Sequence, residues 1–140
     1  MNMDDSQTKL RILLVEDNLS DARLTMKALS IAQLPIEIFL VKDGIEALDF
    51  FNRNPPFESV LDVDLILLDL NLPRMDGHEL LSRLKSTEEF KNIPVIIFST
   101  STSGVDRERC FALKANFYLT KPMRFEGFSE LVEKVKSFCR

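Results

Sequence analysis

Five short, mainly apolar runs, separated by longer segments of helical periodicity, are the feature that most constrains the fold of this 140-residue chain. The runs are Arg11–Val15, Ile36–Val41, Leu65–Leu68, Val95–Phe98 and Phe117–Leu119. The third is continuously apolar, which is typical of a strand buried on both faces of a sheet. Strands that alternate with helices favour a parallel sheet, because right-handed crossovers then place helices on both of its faces. The sequence therefore predicts an α/β fold with a five-stranded parallel sheet.

Helical periodicity fills the segments between these strands. The helix candidates lie near residues 19–32, 45–53, 77–86 and 104–114, and a fifth helix closes the chain. The closing helix carries one apolar stripe, formed by Phe128, Leu131, Val132, Val135 and Phe138. A stripe with this spacing is typical of a helix that buries one face against a core. We therefore interpret these aromatic and aliphatic residues as core and not as part of a cofactor site.

The connecting segments are predicted from their turn residues. Asp43-Gly44 and Asp76-Gly77 would favour hairpin turns between strands, but helical periodicity follows each pair, so both are predicted to be loops that enter helices. The connector Asn52–Asp62 contains Pro55-Pro56 and is predicted to be an exposed surface loop. His78 is the only histidine, and its place early in a helix favours a solvated surface residue.

Length and composition bound the classes of protein to which the chain can belong. A polar tail over residues 1–9 precedes one predicted domain over 10–140. The formal net charge of −4 argues against a nucleic-acid partner, which requires a basic patch to neutralise phosphates. No apolar stretch is long enough to span a membrane. The two cysteines, Cys110 and Cys139, form no metal-binding motif and favour partly buried side chains in a reducing, cytoplasmic compartment.

Polar side chains follow four of the five predicted strands. The first strand is followed by Glu16 and Asp17, the third by Asp69, the fourth by Ser99-Thr100 and the fifth by Thr120-Lys121. Taken singly, each has an ordinary interpretation as a turn former, a helix-end charge or a solvated side chain. Together they converge on the edge at which all parallel strands end. Three carboxylates at one edge repel one another unless a cation lies among them, and Mg²⁺ is the hard ion that carboxylates favour.

These residues lie in motifs that resemble the receiver domain of two-component response regulators. The motifs are VEDN (15–18), LLDLNLPRMDG (67–77), PVIIFST (94–100) and YLTKP (118–122), in the order typical of the family. The resemblance spans residues 10–138 and implies a flavodoxin-like (βα)5 three-layer sandwich with strand order 2-1-3-4-5. The longer connector and the LDLNLP and STSTS segments further resemble stand-alone response regulators associated with phytochromes.

The resemblance assigns a role to each matching residue. Asp69 is implied to be the phosphoryl acceptor, and Asp17 the main acidic ligand of Mg²⁺, or of Mn²⁺ in its place. Glu16 is implied to bind the metal directly or through water, while Asp69 and the backbone carbonyl of Asn71 complete the protein ligands. An aspartate carboxylate can serve as the nucleophile in such a transfer, which requires positioning and charge neutralisation above all.

A second set of residues is implied to bind and report the phosphoryl group. Ser99 is the implied switch hydroxyl at a position where threonine is more usual, and Lys121 its cationic partner. Tyr118 matches the aromatic residue that turns inward when the switch moves. Thr100 lies where many members carry a smaller residue, at the access to the phosphoryl group. The Lys121–Pro122 bond is implied to be cis.

Two other functions compete with this interpretation. A phosphatase of the haloacid dehalogenase type also forms an aspartyl phosphate, but it uses an Asp-x-Asp pair, and Asn71 stands at the second position here. A flavin-binding module on the same fold would carry a phosphate-cradling first loop, whereas VEDNLSD presents carboxylates. The resemblance thus predicts a phosphoacceptor that is not an enzyme and has no output domain. Its implied partners are a sensor histidine kinase, such as a phytochrome, and a second copy through the fourth helix, fifth strand and fifth helix.

Overall fold

The computed structural model describes residues 9–60 and 62–139. The strands are β1 (Leu10–Val15), β2 (Ile36–Val41), β3 (Leu65–Leu68), β4 (Val95–Ser99) and β5 (Phe117–Thr120). The helices are α1 (Leu19–Ile31), α2 (Gly44–Phe51), α3 (Gly77–Ser86), α4 (Gly104–Ala112) and α5 (Ser129–Lys136), the last preceded by a 3₁₀ turn at Phe125–Phe128. All five predicted strands and all five predicted helices are confirmed.

The five strands form one parallel sheet in the order β2-β1-β3-β4-β5. This is the flavodoxin-like order 2-1-3-4-5, so the predicted fold is confirmed. The order reverses between β1 and β3, where Val15 is the register partner of Leu68. The residues that follow these two strands are therefore brought side by side.

Alternate residues of the strands face two separate cores, one on each side of the sheet. One core packs α2, α3 and α4 against side chains such as Leu13, Ile66 and Ile97. The other packs α1 and α5 against side chains such as Ile12, Leu65 and Ile96. Every residue of β3 is fully buried, which explains why that run is continuously apolar. The chain is thus a three-layer sandwich with the sheet in the middle.

Four of the helices begin at a side-chain cap. The side chains of Asn18, Asp43, Asp76 and Ser103 each accept a hydrogen bond from the backbone N–H three residues later. A cap of this kind satisfies a backbone donor that the first helical turn leaves without a partner. The two Asp-Gly pairs therefore start α2 and α3, as their sequence context predicts.

Two expectations from the sequence are wrong, and a third is confirmed in large part. His78 is only 7% exposed, so its prediction as a surface residue is wrong: the first turn of α3 packs beside α4 and encloses the ring. The connector after α2 is largely exposed, as predicted, but Phe57 packs against Phe50, with ring centroids 5.4 Å apart. Within the described ranges, the cis peptide bond is Pro55–Pro56 and not the implied Lys121–Pro122.

Two further expectations concern the ends of the chain and the membrane. The predicted polar tail lies, except for Lys9, outside the described residues. Across residues 9–60 and 62–139, every helix is too short or too polar to cross a bilayer.

Candidate functional site

Two buried carboxylates lie where the strand order reverses. Glu16 follows β1 and Asp69 follows β3, and backbone hydrogen bonds hold both: Glu16 N–H donates to Val41 O at 2.9 Å, and Asp69 N–H donates to Val15 O at 3.1 Å. Their exposed fractions are only 3% and 5%. The sheet therefore fixes two carboxylates side by side at its carboxyl edge, as the sequence predicts.

A third carboxylate joins them from the loop that leads into α1. Asp17 is exposed, yet oxygens of Glu16, Asp17 and Asp69 all lie within 4.8 Å of one another. Hard divalent cations such as Mg²⁺ take oxygen ligands, use one or two carboxylates, and retain several waters. The donor set of this cluster fits such an ion, with Asp17 on the solvent side where waters can complete the shell.

Lys121, which directly follows β5, forms hydrogen bonds with two carboxylates of the cluster and with a further one on α1. Its Nζ donates to Glu16 Oε1 at 2.5 Å, to Asp69 Oδ2 at 3.0 Å and to Asp21 Oδ2 at 3.0 Å. The ammonium group is nearly buried, with 7% of the side chain exposed. Burial of a lysine is tolerated when its three donors all find charged acceptors, as they do here.

Asp21 is a member of this site that the sequence analysis missed. It lies in the first turn of α1, where an acidic residue is favoured for its effect on the helix dipole alone. The sequence signal that could have identified Asp21 is its position shortly after β1. A residue in the first turn of a helix that starts at a sheet edge can point back to that edge. That position does not by itself identify Lys121 as the partner.

The pKa shifts follow from burial and from this shared lysine. Burial raises the pKa of Glu16 to about 7, the charge of Asp69 adds to the rise, and the hydrogen bond from Lys121 opposes it. For Lys121, burial acts to lower the pKa, but hydrogen bonds to Glu16, Asp21 and Asp69 outweigh it and raise the pKa. Three carboxylates, those of Glu16, Asp21 and Asp69, thus share one ammonium group.

The loop from β3 to α3 folds tightly over Asp69. Asn71 N–H donates to Asp69 Oδ1 at 3.2 Å, which directs the other oxygen to Lys121. Gly77 closes the loop by donating its N–H to Leu70 O at 3.0 Å. A Cβ on Gly77 would lie 2.6 Å from both Asp69 O and Leu70 Cα, so only glycine fits this approach. Asn71 is exposed, and the structure places its backbone N–H against the Asp69 carboxylate.

The remaining predicted residues lie on β4 and β5 beside the cluster. Ser99 is the last residue of β4, is fully buried, and accepts a hydrogen bond from Ser101 N–H at 3.3 Å. Thr100, the residue after Ser99, is exposed. Tyr118 on β5 is 5% exposed, and its hydroxyl donates to Ser101 O at 2.9 Å. The aromatic side chain therefore lies inward, against the loop that follows Ser99.

Both cysteines are buried or partly buried, as predicted. Burial raises the pKa of the Cys110 thiol to about 11, and the charge of Asp106 adds to the rise. Burial also raises the pKa of Cys139. Because the thiolate is the reactive form, neither residue is activated as a nucleophile.

The comparisons with known proteins agree with this geometry. Residues 12–136 match the family described as the response regulator receiver domain. Response regulator Rcp1 of Synechocystis sp. is 36% identical over 135 residues, which cover 96% of this chain and 92% of Rcp1.

Two solved structures show the same likeness in three dimensions. The phosphorylated cyanobacterial phytochrome response regulator RcpA superposes with a TM-score of 0.86 at 37% identity, with 94% of each chain covered. The Mn²⁺-bound form of Rcp1 superposes with a TM-score of 0.83 at 36% identity, covering 92% of this chain and 93% of that one. Receiver domains are phosphoacceptor modules of two-component signalling and bind Mg²⁺ or Mn²⁺ at an acidic site. With this fold, this carboxylate cluster and a match over 12–136, the chain belongs to the family of response regulator receiver domains.

Proposed function

We propose that this chain accepts a phosphoryl group on Asp69 from a sensor histidine kinase, with Mg²⁺ held by Glu16, Asp17 and Asp69. The observation that carries this proposal is the position of Asp69. Its carboxylate is held at a strand end, within 4.8 Å of two further carboxylates and 3.0 Å from a lysine ammonium. A nucleophile placed in this way needs little further motion to meet a phosphorus atom.

The transfer exchanges one bond to phosphorus for another. An Asp69 oxygen forms the O–P bond while the bond from phosphorus to the donor breaks, and the donor leaves as imidazole or, from acetyl phosphate, as acetate. Lys121 holds its ammonium group against the charge on the incoming phosphoryl oxygens, and the bound Mg²⁺ supplies the rest of the positive charge. The backbone carbonyl of Asn71 serves as a further ligand of the ion.

The residues around Asp69 then bind the phosphoryl group and move in response to it. Ser99 donates its hydroxyl to a phosphoryl oxygen, and Lys121 turns from the free carboxylate to the phosphoryl group. Tyr118, which lies against the Ser99–Ser101 loop, follows that movement. Thr100 stands at the mouth of the site and limits the approach of the water that would hydrolyse the acyl phosphate.

Incubation with Mg²⁺ and acetyl phosphate tests the proposal. We expect a single phosphoryl group per chain by intact mass, and hydroxylamine should remove it because an acyl phosphate is labile to that reagent. A label on Ser99 or Thr100 would resist hydroxylamine and would contradict the proposal. Steady release of phosphate over many rapid turnovers would indicate a phosphatase instead, although the amide of Asn71 cannot shuttle the proton which that chemistry requires.

Asp17→Asn is expected to weaken Mg²⁺ binding by at least about tenfold, because it removes a charged ligand and leaves an amide. Isothermal calorimetry on the unphosphorylated protein measures this directly. Asp64→Asn is the matched control: Asp64 precedes β3 at the opposite edge of the sheet, and its side chain accepts a hydrogen bond from Arg11 N–H that an amide oxygen can also accept. Equal affinity in Asp17→Asn and Asp64→Asn would contradict the proposed metal site.

The partner is proposed on the basis of the relatives and of the surface. RcpA is described as a phytochrome response regulator, and by analogy we propose a phytochrome-type kinase as the partner of this chain. On α4, Val105 and Phe111 are 74% and 42% exposed, in a helix that also carries exposed charged residues. We propose that the face formed by α4, β5 and α5 binds a protein partner or a second copy.

Phosphorylation is expected to change self-association through this face, because a phosphoryl group can shift a population only where it favours one state over another. Tyr118 lies on the strand between α4 and α5 and would transmit that preference. Light scattering with and without acetyl phosphate, over a wide range of protein concentration, measures the effect. The same molar mass under both conditions would exclude phosphorylation-dependent pairing.

A further inference from the structure

A buried histidine lies between two carboxylates beside the switch loop. The ring of His78, in the first turn of α3, is 8% exposed. Its Nδ1 lies 3.8 Å from Asp76 Oδ1, and its Nε2 lies 3.7 Å from Asp106 Oδ1 on α4. Among the residues that the structure describes, Nε2 has no hydrogen-bond partner. A buried ring nitrogen without a partner costs stability, and a closer approach of Asp106 Oδ1 would satisfy it.

Asp106 connects this histidine to the switch. While its Oδ1 faces His78, its Oδ2 accepts a hydrogen bond from Ser101 Oγ at 2.7 Å. The backbone of Ser101 contacts both residues that read the phosphoryl group: its N–H donates to Ser99 Oγ at 3.3 Å, and its carbonyl accepts the Tyr118 hydroxyl at 2.9 Å. The two carboxylate oxygens of Asp106 thus link α3 to the loop between β4 and α4.

The contact at Ser99 has a chemical consequence. Because Ser99 Oγ accepts the Ser101 N–H, one lone pair of the hydroxyl is occupied and its own proton remains free to be donated. A phosphoryl oxygen on Asp69 requires that proton. The position of Ser101 therefore sets where the donor of Ser99 can point, and Asp106 sets the position of Ser101.

We propose that Asp106 is a positioning residue for the Ser99 switch and transmits the phosphorylation of Asp69 to His78 at the N-terminus of α3. This inference rests on the proposed function. The 3.7 Å between His78 Nε2 and Asp106 Oδ1 exceeds hydrogen-bond length, so a movement of Asp106 towards the ring by about 0.5–1 Å would form a hydrogen bond with His78. Of the charged groups around the ring, Asp76 belongs to the cap of α3 and Asp106 to α4.

Arg107 strengthens the connection between α4 and the aromatic switch. Its guanidinium carbon lies 5.4 Å from the centre of the Tyr118 ring and 5.5 Å from that of Phe111. Consecutive residues of α4 therefore hold Tyr118 in two ways, Asp106 through Ser101 and Arg107 through the ring face. A movement of Ser99 or Tyr118 is therefore expected to change the position of the first turn of α4 and the environment of the His78 ring beside it.

The chain carries its own reporters for a test, since His78 and Tyr118 are its only histidine and its only tyrosine. Their ring resonances in an NMR spectrum are therefore assigned without ambiguity. We expect beryllium fluoride with Mg²⁺, a mimic of the phosphoryl group, to shift the Asp69 amide, the Tyr118 ring and the His78 ring together. In Asp106→Ser the shift of His78 should be lost while that of the Asp69 amide remains.

Asp76→Ser is the matched control. It removes the other carboxylate beside His78 but keeps a hydroxyl that caps α3. This variant should retain the response of His78 to the mimic. Loss of the response in Asp76→Ser and Asp106→Ser alike would indicate a general effect of charge on the ring, and would overturn the inference.

The outcomes separate this inference from the function on which it rests. If the Asp69 amide does not shift in the wild type, the proposed function fails and the inference fails with it. If that amide shifts while His78 does not, or if His78 still responds in Asp106→Ser, only the inference fails. If Asp106→Ser does not fold, Ser101→Ala tests the same link. It removes the hydroxyl that donates to Asp106 and keeps the carbonyl that Tyr118 contacts, so the His78 shift should again be lost.

Discussion

Asp69→Asn is expected to abolish phosphoryl labelling by acetyl phosphate in the presence of Mg²⁺. An amide is a poor nucleophile towards phosphorus, and the substitution also removes one of the carboxylates proposed to bind the metal. The protein should remain folded, because Asn is nearly isosteric and the change removes one negative charge from a crowded, buried cluster. A thermal midpoint no lower than that of the wild type would show that the loss of label is chemical.

Asp64→Asn provides the control within the same segment of chain. Asp64 directly precedes β3 and Asp69 directly follows it, so the two substitutions make the same chemical change at opposite edges of the sheet. Asp64→Asn should be labelled at the wild-type rate. Hydroxylamine-labile label on Asp69→Asn would mean that another carboxylate is the acceptor, and would overturn the assignment.

The parts of the site that the sequence predicts are those fixed by the backbone. Glu16 and Asp69 directly follow two strands, and the parallel sheet brings all strand ends to one edge whatever the side chains do. Lys121 follows β5 in the same way. Once the five strands are recognised, the approximate convergence of these residues follows, which is why their positions agree with the structure.

The parts that the sequence does not predict depend on side-chain direction and helix packing. Asp21 reaches Lys121 from the first turn of α1, and the same residue could equally have served the helix dipole alone. His78 lies at a polar position early in α3, but α4 packs beside that turn and encloses the ring. Neither arrangement is encoded in the spacing of apolar residues along one helix, because each depends on a second element distant in sequence.

The charge balance around Lys121 links stability to function. One ammonium group serves Glu16, Asp21 and Asp69, and two of these carboxylates are nearly fully buried. A buried carboxylate without a cation is strongly unfavourable. The same excess of negative charge that would draw Mg²⁺ to this edge therefore makes the fold dependent on Lys121 when the ion is removed.

Lys121→Met is accordingly expected to lower the free energy of unfolding by about 3 kcal/mol near neutral pH without divalent cations. Burial already raises the pKa of Glu16, and without the opposing hydrogen bond from Lys121 the folded-state pKa of this carboxyl stays above that of the unfolded chain, so the folded state binds more protons and loses stability as pH rises. The deficit should be smaller at about pH 5.5 than at about pH 8. Urea unfolding at both pH values, with EDTA present, measures it.

Mg²⁺ should narrow this deficit, because the ion can replace the lost ammonium charge and should therefore bind the variant more tightly than the wild type. At one saturating concentration of Mg²⁺, each tenfold difference in dissociation constant adds about 1.4 kcal/mol to the stability of the tighter binder relative to the other protein. Lys85→Met is the control, since within residues 9–60 and 62–139 the Lys85 Nζ donates only to neutral oxygens, those of Lys91, Ile93 and Asn116. It should destabilise the protein equally at both pH values, and the loss should not respond selectively to Mg²⁺. If Lys121→Met unfolds like the wild type without divalent cations, or if Mg²⁺ leaves its deficit unchanged, the lysine does not serve as the counter-charge of this carboxylate cluster.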